Sequence, residues 1–135
     1  MKNRRNFLQK LSSFGIFAGL VSLSGSIWAR PKAEKLFIHH VFFWLKEPEN
    51  QEVRQKFEKA LNKLGGIEAI SMLHIGTPAD NNRDIIDNTY HYSLLMGFKS
   101  RKDHDIYQEH PIHDDFRNNY NDLWEKVLVY DSVDI

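Results

Sequence analysis

The chain has 135 residues, with 18 acidic and 18 basic side chains and no cysteine. The lack of cysteine excludes a disulfide scaffold, a thiolate nucleophile and a cysteine metal site. Four of the basic side chains lie within the first ten residues, so the rest of the chain is mildly acidic, which argues against nucleic acid or an anionic membrane as a partner.

The N-terminal segment has the layout of an export signal. A basic stretch with Arg4 and Arg5 precedes an apolar stretch at 11–29 that is diluted by serine and glycine. This order is typical of a signal peptide, and the arginine pair before Phe7 and Leu8 resembles the twin-arginine signal of exported, periplasmic proteins. An uncleaved anchor is the alternative, but we expect cleavage and no stable membrane anchor afterwards. The predicted organisation is a signal peptide at 1–29, a linker at 30–35 and one domain at 36–135.

The domain is predicted to begin with a strand and a helix. Residues 36–45 are rich in aromatic and β-branched side chains and stop before a proline, which indicates a strand. Both alternating sets along it are apolar, so we expect both of its faces to be covered. Residues 49–64 carry apolar side chains at helical spacing, Phe57 among them, and the two glycines that follow end this amphipathic helix.

Two further strands are predicted at 67–75 and 89–98, with a polar loop at 77–88 between them. One side of the third strand carries the small or polar set of His91, Ser93, Leu95 and Gly97. We expect this side to face the helices and to leave room beneath it. Ser100 is predicted to cap a helix through Tyr107, Pro111 to interrupt it, a further helix to span about 114–123, and a last strand to span 126–133.

This order of elements, β-α-β-β-α-β, predicts a ferredoxin-like α+β fold: a four-stranded antiparallel sheet with helices on one face. The other face of the sheet is left without cover, although the first strand is apolar on both sides. An uncovered face of that kind is an aggregation hazard. We therefore predict a two-fold homodimer in which a second copy covers this face to form a dimeric α+β barrel.

Several segments together resemble the stress-responsive A/B barrel (Dabb) family. They are the first-strand run 39–46, Gly76, the Thr-Tyr-His run at 89–91, the Tyr-x-x-His-Pro-x-His run at 107–113 and the Trp-Glu-Lys strand at 124–131. The resemblance extends over about residues 36–131, and the run at 107–113 followed by the Trp-Glu-Lys strand is its most specific part.

The resemblance implies a dimeric α+β barrel, for which most relatives have no settled biochemical role. A branch of plant polyketide cyclases in this family closes an aromatic ring by aldol chemistry without a metal, using one tyrosine and one histidine. By motif position these correspond to Tyr107 and His113, and the supporting histidines correspond to His39 and His91.

These residue types suit that chemistry. An imidazole exchanges protons near neutral pH, and a phenol donates a hydrogen bond to a developing enolate oxygen. His113 is therefore a candidate general base and Tyr107 a candidate oxyanion donor. The alternative is that the histidines and Tyr107 are hydrogen-bonded core residues and that the segment 110–113 only shapes a helix break. The candidate binding residues are His39, His91, His110 and Phe57.

A metal site is an alternative, because nitrogen and oxygen ligands are offered by His104, His110, His113 and Asp114. Their spacing matches none of the strong helical zinc patterns, and no residue is singled out as an axial haem ligand. We expect neither a metal nor another cofactor.

The sequence supports three hypotheses about function. The first is an exported Dabb-type homodimer that binds a small, partly apolar molecule between sheet and helices. The second is a cofactor-free, polyketide-cyclase-like lyase that uses Tyr107 and His113. The third is a non-catalytic structural or stress-protective dimer with a filled interior. The sequence leaves open whether the protein is an enzyme.

Overall fold

The computed structural model describes residues 35–135, so the predicted signal peptide and most of the predicted linker lie outside the described residues. Seven main elements follow one another in these residues, with a short 3-10 helix at Asn121–Leu123 before the last strand. They are β1 (Phe37–Leu45), α1 (Gln51–Leu64), β2 (Met72–Gly76), β3 (Tyr92–Phe98), α2 (Arg101–Gln108), α3 (Pro111–Tyr120) and β4 (Trp124–Val133).

The four strands form one antiparallel sheet in the order β2-β3-β1-β4. β1 lies in the centre and pairs with β3 on one side and with β4 on the other. The three helices supply the second layer, so the predicted ferredoxin-like α+β fold is confirmed. None of the helices in the described part of the chain is long and apolar enough to span a membrane.

The helix N-termini are fixed by side-chain caps. The Asn50 side chain accepts hydrogen bonds from two backbone N–H groups of the first turn of α1. Ser100 caps α2 in the same way, as predicted. Pro111 does not interrupt a helix but starts α3 as its first residue, where a missing N–H costs nothing and the fixed φ suits the helix.

Two strands are shorter at their N-terminal ends than the sequence predicted. Residues 67–71 form a turn before β2, and its apolar Ile67 is buried in the core instead of lying in a strand. Residues 89–91 precede β3 without forming part of it. In the first segment the apolar pattern reflects burial of Ile67 and not strand pairing, whereas Thr89, Tyr90 and His91 are exposed or only partly buried.

The helix-covered face of the sheet holds the core. Phe37, Val41, Phe43 and Leu45 of β1 are buried on this face, and the ring of Phe43 lies 5.1 Å from that of Phe57. The prediction for β3 was wrong, because its large side chains, and not its small ones, share this face. Those that pair with Phe37, His39, Val41 and Phe43 are Phe98, Met96, Leu94 and Tyr92, respectively.

The opposite face of the sheet is apolar and only half covered within one chain. Phe42 of β1 is partly exposed there and lies 6.2 Å, ring to ring, from Tyr130 of β4, which is 59% exposed. Register places the other members of this face, here called the open face, on the same side: Ile38, His40, Met72, His74, Leu95 and Leu128.

Candidate functional site

The helix break after α2 brings Tyr107 and His113 together. α2 ends at Gln108, and α3 starts at Pro111, so the chain turns between them and places His113 beneath Tyr107. The two rings lie 4.5 Å apart between centroids, and the Tyr107 side chain is 1% exposed. The two residues predicted to be catalytic are therefore in direct contact.

His113 is held as a neutral imidazole. Its Nδ1–H donates a hydrogen bond of 3.0 Å to the backbone carbonyl of Gln108, a tautomer that we assign from this contact and that leaves Nε2 with a free lone pair. Burial lowers the pKa of His113 below 6.5, and this effect outweighs the hydrogen bond to Gln108, which raises the pKa. His113 is therefore available as a proton acceptor at neutral pH.

Tyr107 is held as a neutral phenol. Burial raises the pKa of Tyr107 well above 10.0, against a smaller lowering by the positive charge of Arg117. A phenol of this kind keeps its proton at any physiological pH. The Tyr107 hydroxyl is consequently a hydrogen-bond donor and not a base.

His39 faces the same region from the centre of the sheet. In the antiparallel register of β1 and β4 it is opposite Asp131, and its Nδ1 lies 2.7 Å from Asp131 Oδ1. When Nδ1–H donates to this carboxylate, Nε2 is the free acceptor of the ring. The His39 ring lies 6.0 Å from Tyr107, between centroids, so Tyr107 has an imidazole on either side.

Two members of this cluster were not predicted to belong to it. Asp131 orients His39, and the antiparallel pairing of the first and last strands is the signal that could have revealed it. His104 is buried, stacks on Phe37 at 4.3 Å and lies 5.0 Å from the His39 ring. The sequence indicated His104 only as a potential metal ligand beside His110, and not as a neighbour of His39.

His91 lies at a different place. Its Nδ1 accepts a hydrogen bond of 2.8 Å from the backbone N–H of Leu45, next to the irregular pairing of β1 and β4 at Trp44 and Leu45. This contact satisfies a backbone donor at the end of a strand. The structure does not bring His91 to His39 on the helix-facing side, which corrects our placement of the two histidines.

His110 and Phe57 have structural contacts. The Nδ1 of His110 accepts a hydrogen bond from the backbone N–H of Ile112, which makes His110 the N-cap of α3. Phe57 is 0% exposed and contacts the rings of Phe43, Tyr92, Phe116 and Trp124.

The potential metal ligands indicated by the sequence are not grouped in space around one point. His110 caps α3, His113 bonds Gln108, and Asp114 pairs with Arg117. The one grouping of three such side chains found within residues 35–135 consists of His39, His104 and Asp131.

The helices leave the edge of the sheet uncovered beside this cluster. Val127 and Val129 of β4 pair with Phe43 and Val41, so they share the helix-facing side, yet each of the two valines is 44% exposed. We call the strip formed by Val127, Val129 and Asp131 the β4 groove. It is an apolar path that ends at the carboxylate bound to His39.

A separate surface cleft of about 380 Å³ lies between the turn before β2 and the start of α2. It is shallow, and none of the residues of the cluster lines it. The chemistry of the site and this cleft are therefore in different places. Its lining residues are Glu68, Ala69, Ile70, Ser71, Lys99 and Asp103.

Comparison with solved structures finds the same fold in several proteins. A Dabb family protein with a ferredoxin-like fold from Mesorhizobium loti is 25% identical, with a TM-score of 0.63 over 75% of this chain and 98% of that one. A dimeric ferredoxin-like protein of unknown function from Thermobifida fusca is 14% identical, with a TM-score of 0.59 over 73% of this chain and 90% of that one.

A hydroxynitrile lyase from Passiflora edulis is 18% identical, with a TM-score of 0.63 over 76% of this chain and 95% of that one. A search of curated proteins finds no match to the chain. The model of the stress responsive A/B barrel domain matches residues 37–134. Because this match includes most of the chain and agrees with the fold, the protein belongs to the stress responsive A/B barrel (Dabb) family.

Proposed function

We propose that the protein is an exported homodimer that binds a small, partly apolar molecule in the β4 groove, on the helix-facing side of the sheet at the edge that the helices leave uncovered. The observation that supports this best is the pair of half-exposed valines, Val127 and Val129, next to the buried imidazole of His39. Apolar surface that leads to a few convergent polar groups is the usual composition of a small-molecule site.

The polar end of this site suits a carbonyl compound. Tyr107 offers a hydroxyl donor, and the free Nε2 atoms of His39 and His113 are acceptors. A ligand with a β-dicarbonyl head and an alkyl tail satisfies both ends of the groove. The head contacts the imidazoles and the phenol, and the tail covers the valines.

The test is a titration of the protein with a straight-chain alkyl β-diketone, in which binding is monitored by the NMR signals of the histidine rings. Val129→Glu places a charge against the alkyl tail and is expected to weaken binding at least about tenfold, since an unpaired charge that is desolvated costs about 1–3 kcal/mol or more. Ile85→Glu is the matched control, because Ile85 is an equally apolar side chain in the exposed loop before β3. If both variants and the wild type bind the β-diketone with equal affinity, the β4 groove is not its binding site.

A second candidate function is a cofactor-free lyase of the polyketide-cyclase type, and the direct contact of Tyr107 with His113 favours it. In this reaction His113 Nε2 removes a proton from the carbon between two carbonyls, and Tyr107 donates a hydrogen bond to the enolate oxygen. The enolate carbon then forms a bond to the carbon of another carbonyl in the same polyketide molecule. The oxygen of that second carbonyl takes up a proton. The similarity to a hydroxynitrile lyase is consistent with lyase chemistry on this fold.

Turnover of a linear β-polyketone tests the lyase hypothesis. His113→Asn keeps a donor toward the Gln108 carbonyl but removes the base, so a decrease in kcat of at least about a hundredfold is expected. If the β-diketone binds and no β-polyketone is converted, the protein is a binding protein. If neither binds, the structural or stress-protective dimer is the better hypothesis.

Export is proposed from the basic pair and the apolar stretch at the N-terminus. Replacement of Arg4 and Arg5 by lysines should retain the full-length precursor inside the cell. Continued export of this variant would show that the general secretory route is used instead.

A further inference from the structure

Three potential metal ligands meet at the inner edge of the β4 groove, although they come from three separate elements. His39 lies on β1, His104 on α2 and Asp131 on β4. Each offers one ligand atom, and these atoms lie within 4.8 Å of one another. Two of the three side chains, those of the histidines, are buried, so the ligands are held in place by the packing around them.

His104 is the unusual member of this group. Its ring is 7% exposed and stacks on Phe37, and its Nε2 lies 3.1 Å from the amide nitrogen of Gln108. Its Nδ1 is the buried side-chain nitrogen that has no hydrogen-bond partner within residues 35–135, and the Asp105 carboxylate is 3.7 Å away. Such orphaned polar atoms are rare in folded proteins and call for an unobserved partner.

We propose that His39, His104 and Asp131 bind one divalent transition-metal ion. Two imidazole nitrogens and one carboxylate oxygen form a donor set that suits Zn²⁺ and related ions, with at least one position left for water. The charge also fits, since the carboxylate of Asp131 offsets part of the charge of the ion.

The geometry requires side-chain movements of up to about 1.5 Å, because the ligand atoms lie within 4.8 Å of one another and must reach the closer spacing of a metal site. Ligand atoms around a tetrahedral Zn²⁺ lie about 3.3 Å apart, given bonds of about 2.0–2.2 Å. The 2.7 Å contact between His39 Nδ1 and Asp131 Oδ1 must therefore open by about half an ångström, and the half-exposed Asp131 side chain is free to make this move. On His39 the ion takes the place of the proton on Nδ1, and that proton moves to Nε2 as the neutral ring changes tautomer. His104 makes the same change, and the Gln108 amide turns so that its oxygen accepts a hydrogen bond from Nε2–H.

This site differs from the metal set weighed from the sequence and from our expectation of no metal. Only His104 belongs to both groups, because strand pairing and not sequence spacing places His39 and Asp131 beside it. The inference does not depend on the proposed ligand, since metal binding is measured with the protein and the ion alone.

The experiment is a calorimetric titration of the whole, untagged chain with Zn²⁺, repeated with Co²⁺ to record the absorption of the bound ion. The chain is untagged because a histidine tag would itself bind Zn²⁺ and Co²⁺. The seven histidines of the chain lie between positions 39 and 113. One ion per chain is expected, with visible Co²⁺ bands typical of nitrogen and oxygen ligands. His104→Leu and Asp131→Asn should each weaken binding at least about tenfold, because even outer-shell partners of a metal contribute that much.

His74→Leu is the matched control, because His74 is an exposed histidine on β2 on the open face. It should bind the metal as the wild type does. Asp131→Asn keeps the size of an exposed side chain and therefore provides a second test if His104→Leu does not fold, as judged by circular dichroism. Absence of binding at millimolar metal, or wild-type affinity in a folded His104→Leu or Asp131→Asn variant, would overturn the proposal.

Discussion

At the scale of single residues, burial decides the protonation state of each group of the site. The same desolvation that keeps Tyr107 protonated keeps His113 neutral, because it disfavours the charged form of both groups. The site thus holds a donor and an acceptor side by side at neutral pH. That combination is what a general acid–base pair needs before a substrate arrives.

The lowered pKa of His113 makes stability depend on pH. In the unfolded chain this histidine takes up a proton as the pH falls through about 6.5, whereas in the folded chain it does so only at lower pH. The unfolded state therefore binds more protons in that window, and the free energy of unfolding decreases as the pH falls from 6.5 toward the lowered pKa. His40 and His104, whose pKa values burial also lowers, add to the same trend.

Urea unfolding at a series of pH values, at fixed protein concentration, measures this dependence. His113→Asn should give a flatter curve below pH 6.5 than the wild type, since one contributing group is removed. Phe116→Leu is the control, because it removes core volume without a titrating group and should lower the curve equally at every pH. A His113→Asn curve parallel to that of the wild type would contradict the assignment.

At the scale of elements, the break between α2 and α3 is what assembles the site. The cap at His110 and the proline that follows it fix the start of α3, and the direction of α3 sets the position of His113. His110 therefore acts on the site through the backbone. Its backbone carbonyl accepts a hydrogen bond from the His113 N–H, while its side chain is used in the cap of α3, so the observed contacts are structural.

His110→Ala removes the acceptor for the Ile112 N–H and is expected to lower the free energy of unfolding by about 1 kcal/mol. His110→Asn supplies a side-chain oxygen at the same position and should recover most of this loss, because asparagine is among the best N-caps. Thermal or urea unfolding of the three proteins provides the measurement. Equal losses in the two variants would mean that the ring, and not the cap, stabilises the helix.

The elements that the sequence predicted well are those in which local signals agree with burial. The predictions for β1 and α1 agree with the structure, because alternation, helical spacing and caps all indicate the same elements. The faces of β3 could not be predicted from its own residues, because the large set that ends at Phe98 and the small set that ends at Gly97 both fit a strand. Packing against Phe57 and Tyr107 decides which set lies under the helices.

The candidate site was predictable to the extent that it lies in one segment. Tyr107 and His113 belong to a single short motif, and their contact follows from the helix break within it. The partners Asp131 and His104 could not be found in this way, because a strand register and a helix orientation bring them to His39. Long-range pairing of this kind is a property of the folded chain.

At the scale of the whole molecule, the two sides of β4 separate two functions. Val129 points to the β4 groove, and its neighbour Tyr130 points to the open face, so adjacent residues belong to the proposed ligand site and to the proposed dimer interface. The open face is apolar and aromatic, as an interface that buries a sheet must be. Three solved structures of the same fold are described as dimeric.

This arrangement predicts opposite effects for two neighbouring substitutions. Tyr130→Glu places a charge in the proposed dimer interface, where desolvation of an unpaired carboxylate is costly, and should shift the protein to a monomer at micromolar concentration in sedimentation analysis. Val129→Glu, one position away on the other side of the same strand, should leave the dimer intact while it weakens binding of the β-diketone. The pair is internally controlled, because both changes add one charge to the same exposed strand. A wild type that sediments as a monomer, or a Tyr130→Glu variant that remains a dimer, would show that the open face is not where two copies meet.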